Sequence, residues 1–216
     1  MTDPRRTAEL WRDIALKEEG IELYLARIER NMETHDDGID PRTIGFDAAV
    51  EFAPDPCATS SPMFHGRKAR LLTRVGLLSK AYTEHYVYTY DALIRSMLAK
   101  PEPAYRRFSC VTPSWDNSPR RRSGATIFHA ADPAKFESWL STILIQTTSR
   151  FAGDERLVFI NAWNEWAEGN HLEPDLKHER AYLESTLRAT RAVLRCRSDS
   201  TTELLVRAKA TANPAD

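Results

Sequence analysis

The side chains best suited to chemistry lie in one short acidic segment that combines carboxylates with indoles and an amide. Its members are Trp163, Asn164, Glu165, Trp166, Glu168 and Glu173. Indole faces stack on sugar rings, and a pair of carboxylic acids is the usual equipment for breaking a glycosidic bond. The segment therefore predicts a carbohydrate site. The alternative interpretation is a solvated acidic loop whose carboxylates cap the helix that follows.

A second polar group lies upstream, at Trp115, Asp116 and Asn117. One stacking face beside hydrogen-bonding side chains suits the hydroxyl groups of a sugar. The alternative is a turn closed by Asp116, with Trp115 in the core.

A run of three arginines, from Arg120 to Arg122, follows this group directly. Arg120 is a candidate substrate ligand, because a basic run can receive the phosphate of a nucleotide sugar or lipid carrier; a solvated basic loop is the commoner role.

A metal site is the other chemistry to weigh in the acidic segment, because His171, Glu173, Asp175 and His178 are close in sequence. Their spacing matches no established ligand pattern, and Pro174 interrupts any helix that would align them. We therefore predict neither a metal nor a cofactor.

The composition indicates one ordinary globular domain of 216 residues, with 42% hydrophobic and 28% charged residues. A net charge of −1 disfavours nucleic acid or a membrane surface as a partner. No apolar run approaches the roughly 20 residues of a transmembrane helix, and Arg5-Arg6 lacks the apolar stretch of an export signal. The odd set of cysteines, Cys57, Cys110 and Cys196, is typical of free thiols in a reducing, cytoplasmic compartment.

Helices and strands are predicted to alternate along the chain. Asp3-Pro4 and Asp132-Pro133 each join an N-cap to a proline at the first helical position, and Gly20 is placed to end the first helix. Apolar runs predict strands at 21–28, 46–52, 84–90, 105–111 and 157–160, and helices at 91–100 and 183–194. The alternation indicates an α/β domain over 1–195 with a parallel sheet, followed by a disordered polar tail at 196–216.

Both polar loops, 112–124 and 161–175, follow a predicted strand and precede a predicted helix. In a parallel α/β architecture such loops lie together at the carboxyl ends of the strands, where ligands bind. We therefore expect the two loops to meet in the folded protein.

The motifs Trp163-Asn-Glu-Trp-Ala-Glu-Gly169 and Leu172-Glu-Pro-Asp175 resemble those of the WbsX family of polysaccharide-biosynthesis proteins, which is related to the glycoside hydrolase family 99 endo-α-mannosidases. Further matches follow the family's order and run from about residue 8 to 190. They are Trp11-Arg-Asp-Ile-Ala15, Gly45-Phe-Asp-Ala-Ala-Val-Glu-Phe52, Tyr88-Thr-Tyr-Asp91, Trp115-Asp-Asn-Ser-Pro-Arg120 and Ala181-Tyr-Leu-Glu184.

The resemblance implies a (β/α)₈ barrel of the TIM type, with the site at its carboxyl-terminal face. By resemblance, Glu165 would be the base that deprotonates the sugar 2-hydroxyl, giving a 1,2-anhydro intermediate, and Glu168 the acid that protonates the leaving oxygen. The implied role is glycosyl transfer or retaining hydrolysis in cell-surface polysaccharide (O-antigen or lipopolysaccharide-type) biosynthesis, on a glycan or glycosyl-lipid substrate.

The sequence departs from the family in one respect. The family's amino-terminal motifs, Tyr-x-Pro-x-Phe-His and Gly-Phe-x-Glu-Trp, do not occur in it. We therefore expect only the carboxyl-terminal half of the barrel, which a separately encoded amino-terminal half would complete. The alternative function is a truncated, inactive glycan-binding remnant, or one half of a split enzyme.

Overall fold

A computed structural model of the protein describes residues 3–29, 38–55 and 61–195. Its helices are α1 (Pro4–Glu19), α2 (Gly66–Arg74), α3 (Ala81–Glu84), α4 (Tyr90–Leu98), α5 (Pro133–Arg150) and α6 (181–195). Its strands are β1 (Ala26–Glu29), β2 (Ala48–Glu51), β3 (Tyr86–Thr89), β4 (Arg107–Phe108), β5 (Cys110–Val111), β6 (Thr126–His129), β7 (Phe159–Ile160), β8 (Asn164–Glu165) and β9 (Asn170–His171).

The local helix signals act as predicted. Asp3 caps α1 by accepting a hydrogen bond from the Arg6 amide, and Gly20 ends that helix in the left-handed conformation at φ 67°. Asp132 caps α5 in the same way, and its carboxylate accepts from the amides of Ala134 and Lys135. The predicted last helix is confirmed as α6.

The sheet is parallel and follows chain order. β1 pairs with β2, β2 with β4, and β5 with β7, while β3 and β6 form a separate parallel pair. Only Ser109 separates β4 from β5, so the predicted strand 105–111 is present with one interruption. The first predicted strand is shorter than expected, because β1 begins at Ala26. The α/β class is confirmed.

The (β/α)₈ type that the resemblance implies is not confirmed. Across residues 3–29, 38–55 and 61–195, the strands leave the sheet open beyond β1 and beyond β7, and no closed barrel forms. The predicted tail at 196–216 lies outside the described residues. Among the same ranges, no helix combines the length and apolar character needed to cross a bilayer.

The main core lies where α4, α5 and α6 pack on the sheet and the β3–β6 pair. Trp139 is 1% exposed on α5 and contacts the buried Tyr90 edge to face, with ring centroids 6.0 Å apart. The Tyr90 hydroxyl donates to the Thr112 carbonyl at 2.5 Å, which connects the core to the end of β5.

Cys110 is a buried free thiol, and burial raises its pKa to about 12. Cys57 and Cys196 lie outside the described residues.

A buried ion cluster stands at the carboxyl end of β2. The Lys100 ammonium lies 3.0 Å from a Glu51 carboxylate oxygen and 2.8 Å from one of Asp55. All three side chains are nearly excluded from solvent, at 11%, 8% and 2% exposure. We call these three residues the lysine cluster.

Candidate active site

The two polar loops meet, as the parallel architecture predicts. We call residues 112–120 the Trp115 loop and residues 161–175 the acidic loop. The Asp116 amide donates to the Glu168 carbonyl at 2.7 Å. The Thr112 hydroxyl lies 2.8 Å from the side-chain oxygen of Asn170, and both of these residues are fully buried. These buried contacts fix the acidic loop against the end of β5.

The acidic loop is a tight hairpin. β8 pairs antiparallel with β9, with Glu165 opposite Asn170, and the 3₁₀ turn Trp166–Glu168 connects them. The turn ends at Gly169, which has φ 54° and leaves little room for a side chain, because a Cβ there would lie 3.2 Å from the Asp116 carbonyl oxygen. Glycine at this position therefore permits the close contact between the loops.

The two candidate acids occupy opposite environments on this hairpin. Glu165 is exposed, and its carboxylate makes no hydrogen bond or ion pair within the described ranges. Glu168 is 9% exposed and forms an ion pair with Arg120 of the Trp115 loop. Unequal environments are what allow two neighbouring carboxyl groups to take different protonation states.

A chain of contacts holds the indole of Trp166. Its ring nitrogen donates to Glu173 at 2.7 Å, and its face stacks on the His171 imidazole with centroids 3.8 Å apart. The His171 Nε2 atom lies 2.9 Å from Asp175. Trp166 is still 47% exposed and Trp163 is 52% exposed, so both indoles present surface to a ligand.

Asp175 is the last residue in this series of contacts. Burial alone would raise the pKa of its carboxyl, but hydrogen bonds from the His178 amide, the His171 ring and the Lys177 amide outweigh burial and lower the pKa below its usual value. The charged form is therefore favoured, and it holds the turn that leads to α6.

The side chains of the Trp115 loop face inward. Trp115 is 8% exposed and packs edge to face on Phe52, with centroids 6.3 Å apart. An Asp116 oxygen accepts from the Ser118 amide at 2.9 Å, which closes an Asx turn, and the Asn117 side-chain oxygen accepts from the Thr126 amide at 2.9 Å. In this structure these three residues shape the loop, and Arg120 is the member that reaches the acidic loop.

Two features of the site escaped sequence reasoning. The Thr112–Asn170 contact joins residues that are far apart in the sequence, and nothing local indicates it. The contacts of His171 with Asp175 and Trp166 do have a local signal, since His171 and Asp175 are four residues apart in the sequence. Among the described residues, no group of three or more His, Cys, Asp or Glu side chains is arranged to hold a metal ion.

The sequence matches the family model described as "Glycosyltransferase WbsX" over residues 1–186. Two curated relatives, both described as "Uncharacterized protein WxcX", come from two strains of Xanthomonas campestris pv. campestris. Each is 36% identical over 194 residues, which is 89% of this chain and 26% of the relative. The chain thus spans about a quarter of the length of these relatives. A solved structure described as "Glycoside hydrolase-like protein" superposes with a TM-score of 0.48 at 14% identity, covering 88% of this chain and 50% of that one.

Proposed function

The chain belongs to the WbsX glycosyltransferase family, and from that premise we propose that it acts on a glycosidic bond through Glu165 and Glu168. The proposed setting is a cytoplasmic step of cell-surface polysaccharide (O-antigen or lipopolysaccharide-type) biosynthesis, with a glycan or glycosyl-lipid as substrate. The observation that carries the proposal is the hairpin itself, which presents the exposed carboxylate of Glu165 and the buried carboxylate of Glu168, paired with Arg120, on the same turn as two exposed indoles.

On this proposal Glu165 is the base and Glu168 the acid. An exposed carboxylate at this position can reach the hydroxyl of a bound sugar, as a general base must. The Arg120 ion pair, however, stabilises the charged form of Glu168, whereas an acid must carry a proton. The proposal therefore requires substrate to draw Arg120 away from Glu168. The Arg120 side chain is 49% exposed and can turn toward a ligand.

The exposed indoles and their polar neighbours form the proposed sugar-binding surface. Trp163 and Trp166 would stack on sugar rings, while Asn164, Glu173 and Arg120 would bind hydroxyl groups or a phosphate. The inward-facing Trp115, Asp116 and Asn117 would support this surface from below.

Glycan binding tests this function. Replacing the exposed Trp163 by Ala should weaken binding of the source strain's surface polysaccharide by about fivefold, because a lost aromatic stack is worth about 1 kcal/mol. The measurement is isothermal calorimetry on the 216-residue chain. Trp11→Ala is the matched control, since Trp11 is 42% exposed on α1, away from both loops. Equal losses in the two variants, or none in Trp163→Ala, would remove the indole from the site.

We also propose that β1, β2, β4–β5 and β7 form half of a (β/α)₈ barrel, and that the other half comes from a longer chain or a separately encoded partner. Three observations support this. The strands are parallel neighbours in chain order, the chain covers a quarter of its relatives, and apolar side chains on the sheet remain open, with Ile28 66% and Phe159 38% exposed.

Thermal unfolding of the isolated chain tests the half-barrel. We expect a broad, weakly cooperative transition and binding of a hydrophobic dye, because open strand edges and exposed apolar side chains leave the sheet incomplete. A sharp two-state transition of a monomer would contradict it.

The alternative function is a glycan-binding remnant without catalysis. It predicts that Trp163→Ala weakens glycan binding, while replacement of Glu165 or Glu168 changes no turnover of the complete protein.

A further inference from the structure

The charges of this chain are unevenly distributed along the sequence. Residues 61–80, which include α2, hold five Lys and Arg residues and no Asp or Glu. The whole chain has 30 basic and 31 acidic residues, so the rest of it is net acidic. A net charge of −1 disfavours a membrane surface as partner of the protein as a whole, but a local basic segment can still bind an anionic surface.

The cationic side chains of α2 are all exposed to solvent. They are Arg67, Lys68, Arg70 and Arg74. None of them forms an ion pair with a residue in the described ranges. The acids nearest in sequence do not neutralise them, because Asp55 is paired with Lys100 at 2.8 Å and Glu84 on α3 makes no ion pair among the described residues. The α2 helix therefore presents concentrated positive charge to solvent.

Large apolar side chains lie among these charges. Leu71 is 62% exposed, Val75 at the end of the helix is 59% exposed, and Leu77 just beyond it is 76% exposed. Leu71 and Val75 are four residues apart and share one face of the helix. At about 100° per residue, the three arginines of α2 lie on one side of this pair and Lys68 lies on the other. We call these four cationic and three apolar side chains the α2 surface.

The opposite side of α2 packs on the protein. Ala69 is buried there. Before the helix, the Phe64 ring contacts Tyr82 of α3 edge to face, with centroids 5.0 Å apart. After it, the Leu77 amide donates to the Leu72 carbonyl at 2.9 Å, which fixes the turn that carries Leu77. The α2 surface is thus held on a folded support and does not have to pay the ordering entropy of a disordered segment on binding.

We propose that the α2 surface binds the surface of an anionic lipid bilayer. The apolar side chains enter the headgroup region, and the cations that flank them contact the lipid phosphates. A nucleic acid would match the charges, but it would leave three aliphatic side chains against phosphate and sugar groups. A second copy of the α2 surface would match the apolar side chains and oppose like charges. An anionic bilayer matches both.

This binding surface does not rest on the proposed glycosyl chemistry. A glycosyl-lipid substrate would lie in the same bilayer, so the two proposals are compatible, but they involve different residues. Glu165→Gln separates them, because that variant should lose turnover while it binds vesicles like wild type.

Vesicle co-sedimentation of the 216-residue chain tests the α2 surface. We expect binding to mixed phosphatidylglycerol–phosphatidylcholine vesicles that weakens at high salt, since exposed charges are screened, and little binding to phosphatidylcholine alone. Arg67→Gln and Arg74→Gln should each weaken binding about fivefold, as expected for one basic residue near an anionic surface. Leu77→Ala should weaken it about tenfold, because less apolar surface then leaves water.

Matched controls come from α1, where Arg6 and Leu10 are also exposed but share the helix with acidic residues. Arg6→Gln and Leu10→Ala should bind vesicles like wild type. The side chains changed in all these variants are exposed, so the thermal unfolding temperature should stay the same and the losses should report on binding. Equal losses in the α1 and α2 variants, or equal binding to both kinds of vesicle, would overturn the proposal.

Polyanions without lipid distinguish the remaining partners. Polyuridylate RNA and polyglutamate should bind more weakly than anionic vesicles, and Leu77→Ala should not affect their binding. Tighter binding of either polyanion than of the vesicles would contradict the proposal and assign the surface to a nucleic acid or an acidic protein.

Discussion

Glu165→Gln in the full-length protein should lower turnover of its glycan by about 10²- to 10⁴-fold, the usual contribution of a general base. The substitution preserves shape and removes only the charge. Because Glu165 is exposed and makes no hydrogen bond or ion pair within the described ranges, no folding contact is lost. We expect the loss in kcat and little change in KM, which initial-rate kinetics on the purified polysaccharide would separate.

The comparison variants make this result specific. Glu168→Gln should also lower kcat, with only a small loss of stability, because the Arg120 side chain that it leaves unpaired is 49% exposed to water. Glu9→Gln changes an equally exposed carboxylate on α1 and should have no effect on turnover. A substrate methylated on the sugar 2-hydroxyl should not react if Glu165 takes the proton from that group. Unchanged kcat in both Glu165→Gln and Glu168→Gln would remove the pair from the mechanism.

The parts of the fold that the sequence predicts are those governed by local chemistry. Asp3 and Asp132 accept from amides within their own first helical turn, so an Asp–Pro pair is enough to locate α1 and α5. The strand before the acidic loop and the position of that loop follow from the short apolar run at 157–160.

The parts that the sequence does not predict depend on packing between distant segments. Trp115 could stack on a sugar or fill the core, and the structure places it in the core, 8% exposed and edge to face with Phe52. The unequal environments of Glu165 and Glu168 arise because Arg120, on the other loop, reaches one carboxylate and not the other. Residue type and spacing thus predict a candidate site, whereas contacts between distant segments determine the surroundings of each of its residues.

The lysine cluster carries the largest expected effect on stability. Lys100→Met should lower the free energy of unfolding by about 3–5 kcal/mol, because it leaves Glu51 and Asp55 buried without the cation that the structure places between them. A loss of that size is a large part of the roughly 5–15 kcal/mol of a typical domain. Urea denaturation followed by tryptophan fluorescence is the measurement, made on the protein with its barrel complete, where a cooperative transition is expected.

The pH dependence of this effect has a definite sign. Burial alone would lower the pKa of Lys100, but the charges of Glu51 and Asp55 and their hydrogen bonds outweigh it and raise the pKa above its usual value. A pKa raised by folding contributes stability that is complete below the ordinary ammonium pKa and is lost as pH rises through the raised value. The difference between wild type and Lys100→Met should therefore be full at neutral pH and shrink at strongly alkaline pH.

Two companion variants show that burial, and not charge alone, produces the effect. Lys17→Met removes an ammonium that is 74% exposed and 3.8 Å from Asp13, and it should cost at most about 0.5 kcal/mol, as surface ion pairs do. Adding Glu51→Gln to Lys100→Met should recover part of the lost stability, because one of the buried charges disappears with it. Equal, small losses in Lys100→Met and Lys17→Met would mean that water reaches the cluster and that it contributes no more than a surface pair.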